Sequence, residues 1–470
     1  MLFITRNYLV ATLACLLVIP ALAQNDSATL APFTVNKILI SGNKKTKSYI
    51  IRRELSFSEG DTVSLKELVG KFEYARQQLY NSRLFNDVVV AIKSFNGYLV
   101  DIEISVKERW YLFPVPYLRP VDRNLSAWAE RGYDLNRMNY GLKLSYYNFT
   151  GRNDKLKAWL ISGYSRQIRF SYEQPYADNS LRHGYLVNFA YSRFREINAT
   201  TVDNKQFFLK SDSIAYAGKY LDNQLNITVG YTYRPALTTR HAVRLSYSVN
   251  KIDSAVTIVN PSYFNDKRRS ITFPELRYAI DYNRMDYIAY PLNGLQGEAG
   301  IVKKGFSKSI NLLEIYTKGT RAWKSGYKLY TNFQWFTSLK LPFSQPFFTK
   351  RQMGYDDVYL RGLEKYVIDG VAVLLARNTL KREILEFSIP TYIKSRSHDR
   401  VPFKIYAKMF GDAGYVYNRN SGDSRLSNRL LYTAGAGIDV VTLYDFVLRF
   451  EYGFNQLGEN GLFLHFKNEF

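Results

Sequence analysis

The 470-residue chain has one cysteine, four histidines and, after residue 23, no apolar run of 18 residues. Each scarcity removes a class of protein. A membrane-crossing helix needs about 20 mostly apolar residues, so any crossing beyond residue 23 is expected to be made by strands. The sole cysteine, Cys15, falls in a leader-like segment, so the rest of the chain holds no disulfide. His183, His241, His398 and His465 are scattered, without the spacing that seats a metal on one helix face, so no metal is expected. There is no Gly-x-Ser-x-Gly elbow and no Gly-rich phosphate loop, so neither an enzyme nor a cofactor is expected. Acidic residues are also few, 41 against 64 Lys and Arg, for a net charge of +23. That excess would suit nucleic acid, an anionic membrane surface or an acidic partner. No nucleic-acid motif accompanies it, so the first is set aside. The plainest source is a charged lumen with solvated loops.

Residues 1–23 read as a secretory signal. Arg6 supplies the positive start, Leu9 to Ile19 the apolar centre, and Ala21-Leu22-Ala23 the cleavage site. Acylation at Cys15 is the alternative, although Thr12-Leu13-Ala14 is an imperfect lipidation motif.

What the chain has in plenty is tyrosine and phenylalanine, 39 and 30 residues. From Trp110 they sit in short alternating runs such as Leu225, Ile227, Val229, Tyr231 and Tyr233. One face of such a strand suits lipid and the other a wet lumen. About sixteen runs are expected, near 110–118, 139–149, 155–165, 167–174, 185–195, 220–234, 240–250, 271–284, 294–303, 309–323, 326–338, 380–389, 403–416, 430–441, 445–452 and 461–470. Their connections alternate between short and long, apart from a tight junction at Ser165/Arg166, which reads as a misplaced boundary. The longest connection, 339–379, contains the loop-like stretch Leu341 to Ala372 with Tyr359-Leu360-Arg361-Gly362-Leu363 at its centre. The expected architecture is a transmembrane β-barrel of about 16 antiparallel strands over 110–470, preceded by one small α/β domain.

That small domain spans 33–109 and reads β-α-α-β-β. Ser64 with Glu67 has capping-box spacing, and Leu68, Phe72, Ala75 and Leu79 mark one helix face. Asn96-Gly97 between two alternating runs signals a hairpin. The run Ile38 to Asn43, with Gly42-Asn43, then Ile51-Arg-Arg-Glu54-Leu55, and Leu79 to Val88, with Phe85 and Val88, resembles the POTRA (polypeptide-transport-associated) domain. The resemblance implies binding of client chains or partner subunits, partly at a sheet edge. A structural plug or spacer is the simpler alternative.

Further runs resemble the BamA/TamA superfamily of outer-membrane assembly factors. They are Asp281-Tyr-Asn-Arg284-Met-Asp286 with Pro291-Leu-Asn-Gly294, Leu385-Glu386-Phe387, and Phe410-Gly-Asp412-Ala-Gly414. The resemblance implies a long loop folded into the barrel, with Arg361 and Gly362 meeting the wall acids Glu386 and Asp412. The family's aromatic after Arg-Gly is here Leu363. The alternating end of the chain, with Leu464, Phe466 and Phe470 on one face, resembles an outer-membrane targeting signal. These likenesses imply a bacterial outer-membrane protein with its POTRA domain in the periplasm. Its partners would be outer-membrane lipids, unfolded outer-membrane or secreted client proteins, and periplasmic or lipoprotein subunits. It would insert clients at the barrel seam. The alternatives are a two-partner-secretion transporter of one exported protein and a passive pore or structural barrel.

Overall fold

The computed structural model describes residues 32–120, 134–212, 218–307, 309–355, 357–391, 400–422 and 424–466. The expected leader and Phe470 lie outside them. The N-terminal domain contains β1 (Phe33–Ser41), α1 (Ser48–Arg53), β2 (Thr62–Val63), α2 (Leu65–Asn81), β3 (Phe85–Asn96) and β4 (Leu99–Glu108). Its sheet order is β2-β1-β4-β3, with β1 parallel to β4. The two-residue β2 between the helices is an addition to the expected order. Ser64 and Glu67 form a full capping box at the start of α2. Leu68, Ala75 and Leu79 turn inward onto Ile102, Ile104 and Phe85. Each large side chain buried this way contributes about 1.5–3 kcal/mol, enough in sum to give the domain its own core.

The rest of the chain forms β5 (Leu112–Pro120), β6 (Met138–Tyr147), β7 (Lys155–Gly163), β8 (Arg166–Gln174) and β9 (His183–Phe194). A hairpin, β10 (Glu196–Val202) with β11 (Lys205–Lys210), interrupts the series before β12 (Asp222–Tyr233) and β13 (Thr239–Ile252). After the short helix α3 (Ser254–Val259) come β14 (Ser270–Met285), β15 (Gly294–Ser307), β16 (Ile310–Gly326) and β17 (Leu329–Leu341). The small pair β18 (Arg351–Met353) and β19 (Ile368–Asp369) lies in the long loop. The series closes with β20 (Ala372–Pro390), β21 (Arg400–Tyr417), β22 (Leu430–Val441), β23 (Val447–Asn455) and β24 (Asn460–His465). Sixteen of these strands make one antiparallel sheet from β5 to β24.

The register explains the composition. Ile227, Val229 and Tyr231 lie beside Tyr247, Leu245 and Val243, all exposed on the outer face. Between them, Thr228 bonds Ser246 at 2.8 Å and Asn226 bonds Ser248 at 2.9 Å on the inner face. A bilayer accepts the first set because its members are apolar or aromatic, and a lumen accepts the second because its polar atoms are satisfied.

Two expectations about strand limits are corrected. β20 begins at Ala372 and not near Leu380, so the long loop is residues 342–371. Within this segment Arg377 is an inward, fully buried position of the strand. The tight junction between β7 and β8 is a genuine turn. Buried Tyr164 donates its amide to Met138 at 2.9 Å, and Ser165 donates to Asn139 Oδ1 at 2.7 Å.

The N-terminal domain packs against the turns at one end of the barrel. Arg109 makes a two-point pair with Asp445 at 2.9 and 3.2 Å. Asn81 bonds the carbonyl of Met285 and the amide of Ile288 at 2.9 and 3.0 Å. Asn148 reaches Thr46 at 2.9 Å. A cavity of about 890 Å³ lies between the domain and the barrel mouth. At the opposite end, Asn204 at the β10–β11 tip bonds Val367 at 3.2 Å, Ser424 at 2.8 Å and the amide of Arg425 at 2.8 Å. Three loops are thereby tied together across that end.

Candidate functional site

The long loop re-enters the lumen and places Arg361 against the barrel wall, 1% exposed. Its Nε and Nη2 donate to the two oxygens of Asp412 at 2.9 and 2.5 Å. The Arg361 amide also donates to Asp412, at 3.1 Å, and Nη1 donates to Thr379 Oγ1 at 2.9 Å. The guanidinium lies over the Phe410 ring, 4.1 Å from its centroid. A planar fork suits this two-oxygen pairing and an aromatic face, where a lysine would offer only a point charge.

The second carboxylate near Arg361 is Glu451 on β23, at 3.7 Å. It is not Glu386, and that expectation is corrected. Leu385 and Phe387 are exposed on the outer face, and Glu386 does pair across the ladder with Lys404, at 2.9 Å. The alternation thus gave the right face and the wrong height. Glu386 lies seven residues beyond Thr379, about 23 Å along a strand at the usual rise. A bulge between Glu383 and Leu385 separates the two stretches.

Small residues make the space for the loop. Gly362 has φ +88°, a conformation that favours glycine, and its carbonyl accepts from Asn455 at 2.8 Å. A Cβ on Gly435 would lie 2.4 Å from the Phe410 ring. Leu363 is buried with Met353, Leu360 and Leu431, so apolar packing occupies the place of the family's aromatic.

Three charged groups at this site, Lys408, Asp439 and Arg377, were not singled out from the sequence. Lys408 pairs with Asp439 at 2.6 Å and with Glu451 at 2.7 Å, all three buried. Arg377 stacks on Tyr359 at 4.4 Å and donates to its carbonyl. Glu451 carried a visible signal, a charge at an inward position of a lipid-facing strand. The loop also touches the last strand. His465 lies 3.1 Å from Glu364 and 3.3 Å from Glu451, and its ring stacks with Tyr359 at 5.6 Å. Glu364, Glu451 and His465 offer ligand atoms within 4.8 Å of one another, but Lys408 already neutralises Glu451.

No ladder joins β5 to β24 among the described residues, so the sheet ends in two edges. Pro114 and Pro116 are alternate residues of β5, so their missing N–H donors belong to the same side of the strand. Proline is tolerated where that side is a free edge. Leu464 and Phe466 are exposed beside this seam.

The other expected residues fall into structural roles. Gly42 has φ +87°, and a Cβ there would meet the Val106 carbonyl at 2.0 Å. Asn43 bonds the Thr46 carbonyl at 2.9 Å, and Phe85 and Val88 are core residues. Glu54 is buried between domain and barrel, paired with Arg234 at 2.7 and 2.9 Å and with Tyr176 at 2.8 Å. Burial opposes its charge, but the Arg234 charge and these bonds prevail and hold its pKa below the ordinary value. Asp281 faces the lumen beside Arg240 at 3.3 Å, whereas Arg284 is exposed. Asp286 closes the β14–β15 turn by accepting the Tyr287 and Leu292 amides at 2.7 and 3.2 Å. The Pro291 carbonyl of that turn meets Asn332 at 3.5 Å, and Gly294 has φ +121°.

Residues 33–109 match the model of the POTRA family, described as a surface antigen variable number repeat. The chain is 32% identical over 77 residues to the outer membrane protein assembly factor BamA of Neorickettsia risticii (strain Illinois). That match covers 16% of this chain and 10% of that relative. Among solved structures, BamA from Haemophilus ducreyi lacking POTRA domains 1–3 aligns with a TM-score of 0.50 at 17% identity, over 92% of this chain and 83% of that one. CdiB from Escherichia coli aligns with a TM-score of 0.53 at 12% identity, over 93% and 74%. The chain therefore has the POTRA-plus-barrel architecture of the BamA/TamA type.

Proposed function

We propose that this chain assembles client proteins at the bacterial outer membrane, with the POTRA domain in the periplasm receiving them. The barrel edge at β5 then templates their strands. One observation carries the reading: among the described residues the sixteen-stranded sheet keeps two unjoined edges, and the loop held by Arg361 reaches the strand beside them. Ordinary barrels remove their edges by closing, because an unpaired edge recruits other strands. Here that recruitment is the useful chemistry, driven by backbone pairing without nucleotide. The likenesses to BamA and to CdiB support outer-membrane assembly or transport in the broad sense. A secretion transporter of one exported protein is the second reading, favoured by the cavity between domain and lumen. It requires the POTRA domain and the tied loops at the far end to move aside.

Photo-cross-linkers at Leu118 and Leu464, both exposed, test the choice. Cross-links to many outer-membrane proteins, with their broad loss on depletion, support assembly. Loss of a single secreted partner on depletion, with no cross-link at either seam position, supports transport. Altered solute uptake with no captured client leaves the passive pore.

A further inference from the structure

The barrel exterior carries an unusual row at the end away from the POTRA domain. Arg166 on β8 lies directly across from Arg193 on β9, which lies across from Asn223 on β12 and then Lys251 on β13. All four share the outward face. The next row down is Ile168, Tyr191, Leu225 and Val249, and the one after that includes Phe170, Phe189, Ile227 and Tyr247. The cations therefore sit at the edge of the apolar band, where a lipid headgroup begins.

Like charges opposite each other on neighbouring strands destabilise a sheet. No carboxylate within ion-pair distance of Arg166, Arg193 or Lys251 is found among the described residues; the nearby acid Asp212 is taken by Arg137. Arg193 donates to Asn223 at 2.8 Å and lies 4.0 Å from the centre of the Tyr220 ring. Arg166 and Arg195 approach the same ring at 5.8 and 5.4 Å. Three guanidinium groups thus converge on one tyrosine. Its hydroxyl and Arg195 Nε are buried without a hydrogen-bond partner among the described residues.

We propose that this row binds the phosphorylated headgroup of an outer-leaflet lipid, whose acyl chains lie along the aromatic band beneath. Two guanidinium groups facing the same way match the several oxygens of a phosphate monoester. The Tyr220 hydroxyl and Arg195 Nε are donors that no described residue takes up. The proposal rests on the reading of the barrel as an outer-membrane protein with the POTRA domain periplasmic.

The test uses the full-length barrel in phosphatidylcholine nanodiscs containing a minor fraction of diphosphorylated lipid A, with bound lipid counted by native mass spectrometry. Wild type is expected to retain lipid A. The Arg166→Gln/Arg193→Gln/Lys251→Gln variant should lose roughly tenfold of that retention, and Arg166→Lys/Arg193→Lys should keep part of it. Dephosphorylated lipid A should bind no better than phosphatidylcholine. Millimolar inorganic phosphate should not displace the lipid, because free phosphate lacks the acyl contacts. Equal retention by wild type and the triple Gln variant, or by phosphorylated and dephosphorylated lipid, overturns the site while leaving the barrel reading intact. Displacement by inorganic phosphate shows a simple anion site and overturns the lipid assignment. A chain that enters no nanodisc overturns the barrel reading itself.

Discussion

Arg361 and Asp412 lie 51 residues apart and share three hydrogen bonds in a buried lumen, with side chains 1% and 0% exposed. The pair ties the tip of the longest loop to the barrel wall. Removing one partner leaves a buried charge uncompensated, which costs about 3–5 kcal/mol. Arg361→Ala is therefore expected to lower the thermal midpoint of the barrel and weaken its heat-modifiable migration on gels. Arg361→Lys should recover only part, because it cannot pair with both oxygens. Unchanged migration in the alanine variant would sink the idea of a latch.

Glu451 and Glu386 give a paired comparison. Glu451 is buried between Lys408 and Arg361, whereas Glu386 is half exposed beside Lys404. Glu451→Gln is expected to destabilise the barrel by several kcal/mol, about the range for a broken buried pair. Glu386→Gln should change stability by no more than about 0.5 kcal/mol, since solvent screens an exposed pair. Thermal unfolding of both variants in detergent decides it, and equal losses would contradict the placement of Arg361.

Pro114 and Pro116 keep donors off one side of the first barrel strand. Replacing both with threonine restores two N–H groups, each worth about 0.5–1.5 kcal/mol if paired. The double variant is expected to unfold at a higher temperature and to assemble clients more slowly. A gain in both properties would argue against the seam as the working edge.

Docking of the POTRA domain should weaken only in acid. Glu54 and Asp445 are both buried, which opposes charge, but their arginine partners hold the pKa of each below its ordinary value of 4.5 or 3.8. The stabilisation is therefore fully present above the ordinary values. It is lost as pH falls below them through the depressed folded-state values. Spin labels at Val69→Cys and Tyr327→Cys, both exposed, should report one distance from pH 5 to 8 and a broadened distribution well below pH 4. Glu54→Gln should broaden it at neutral pH. A distribution indifferent to both changes would remove these pairs from docking.

The sequence by itself determined the strand architecture and the inward or outward face of most residues. Period-two alternation is a local property, and lipid outside with water inside makes it strict. It also marked the capping box of α2 and the turn at Gly42, because both depend on nearest neighbours. It did not determine height along the barrel or the choice of partner. Glu386 and Glu451 both read as inward acids, but only the relative stagger of β20 and β23 brings Glu451 to Arg361. The registers of β20, β21, β22 and β23 set that stagger, and the fold of residues 342–371 brings Arg361 to it. The Arg193–Arg166 row and the Glu54–Arg234 pair likewise exist only once distant strands and turns have met. Alternation fixes a residue's side; register and loop closure fix its neighbours, and only the tertiary structure holds both.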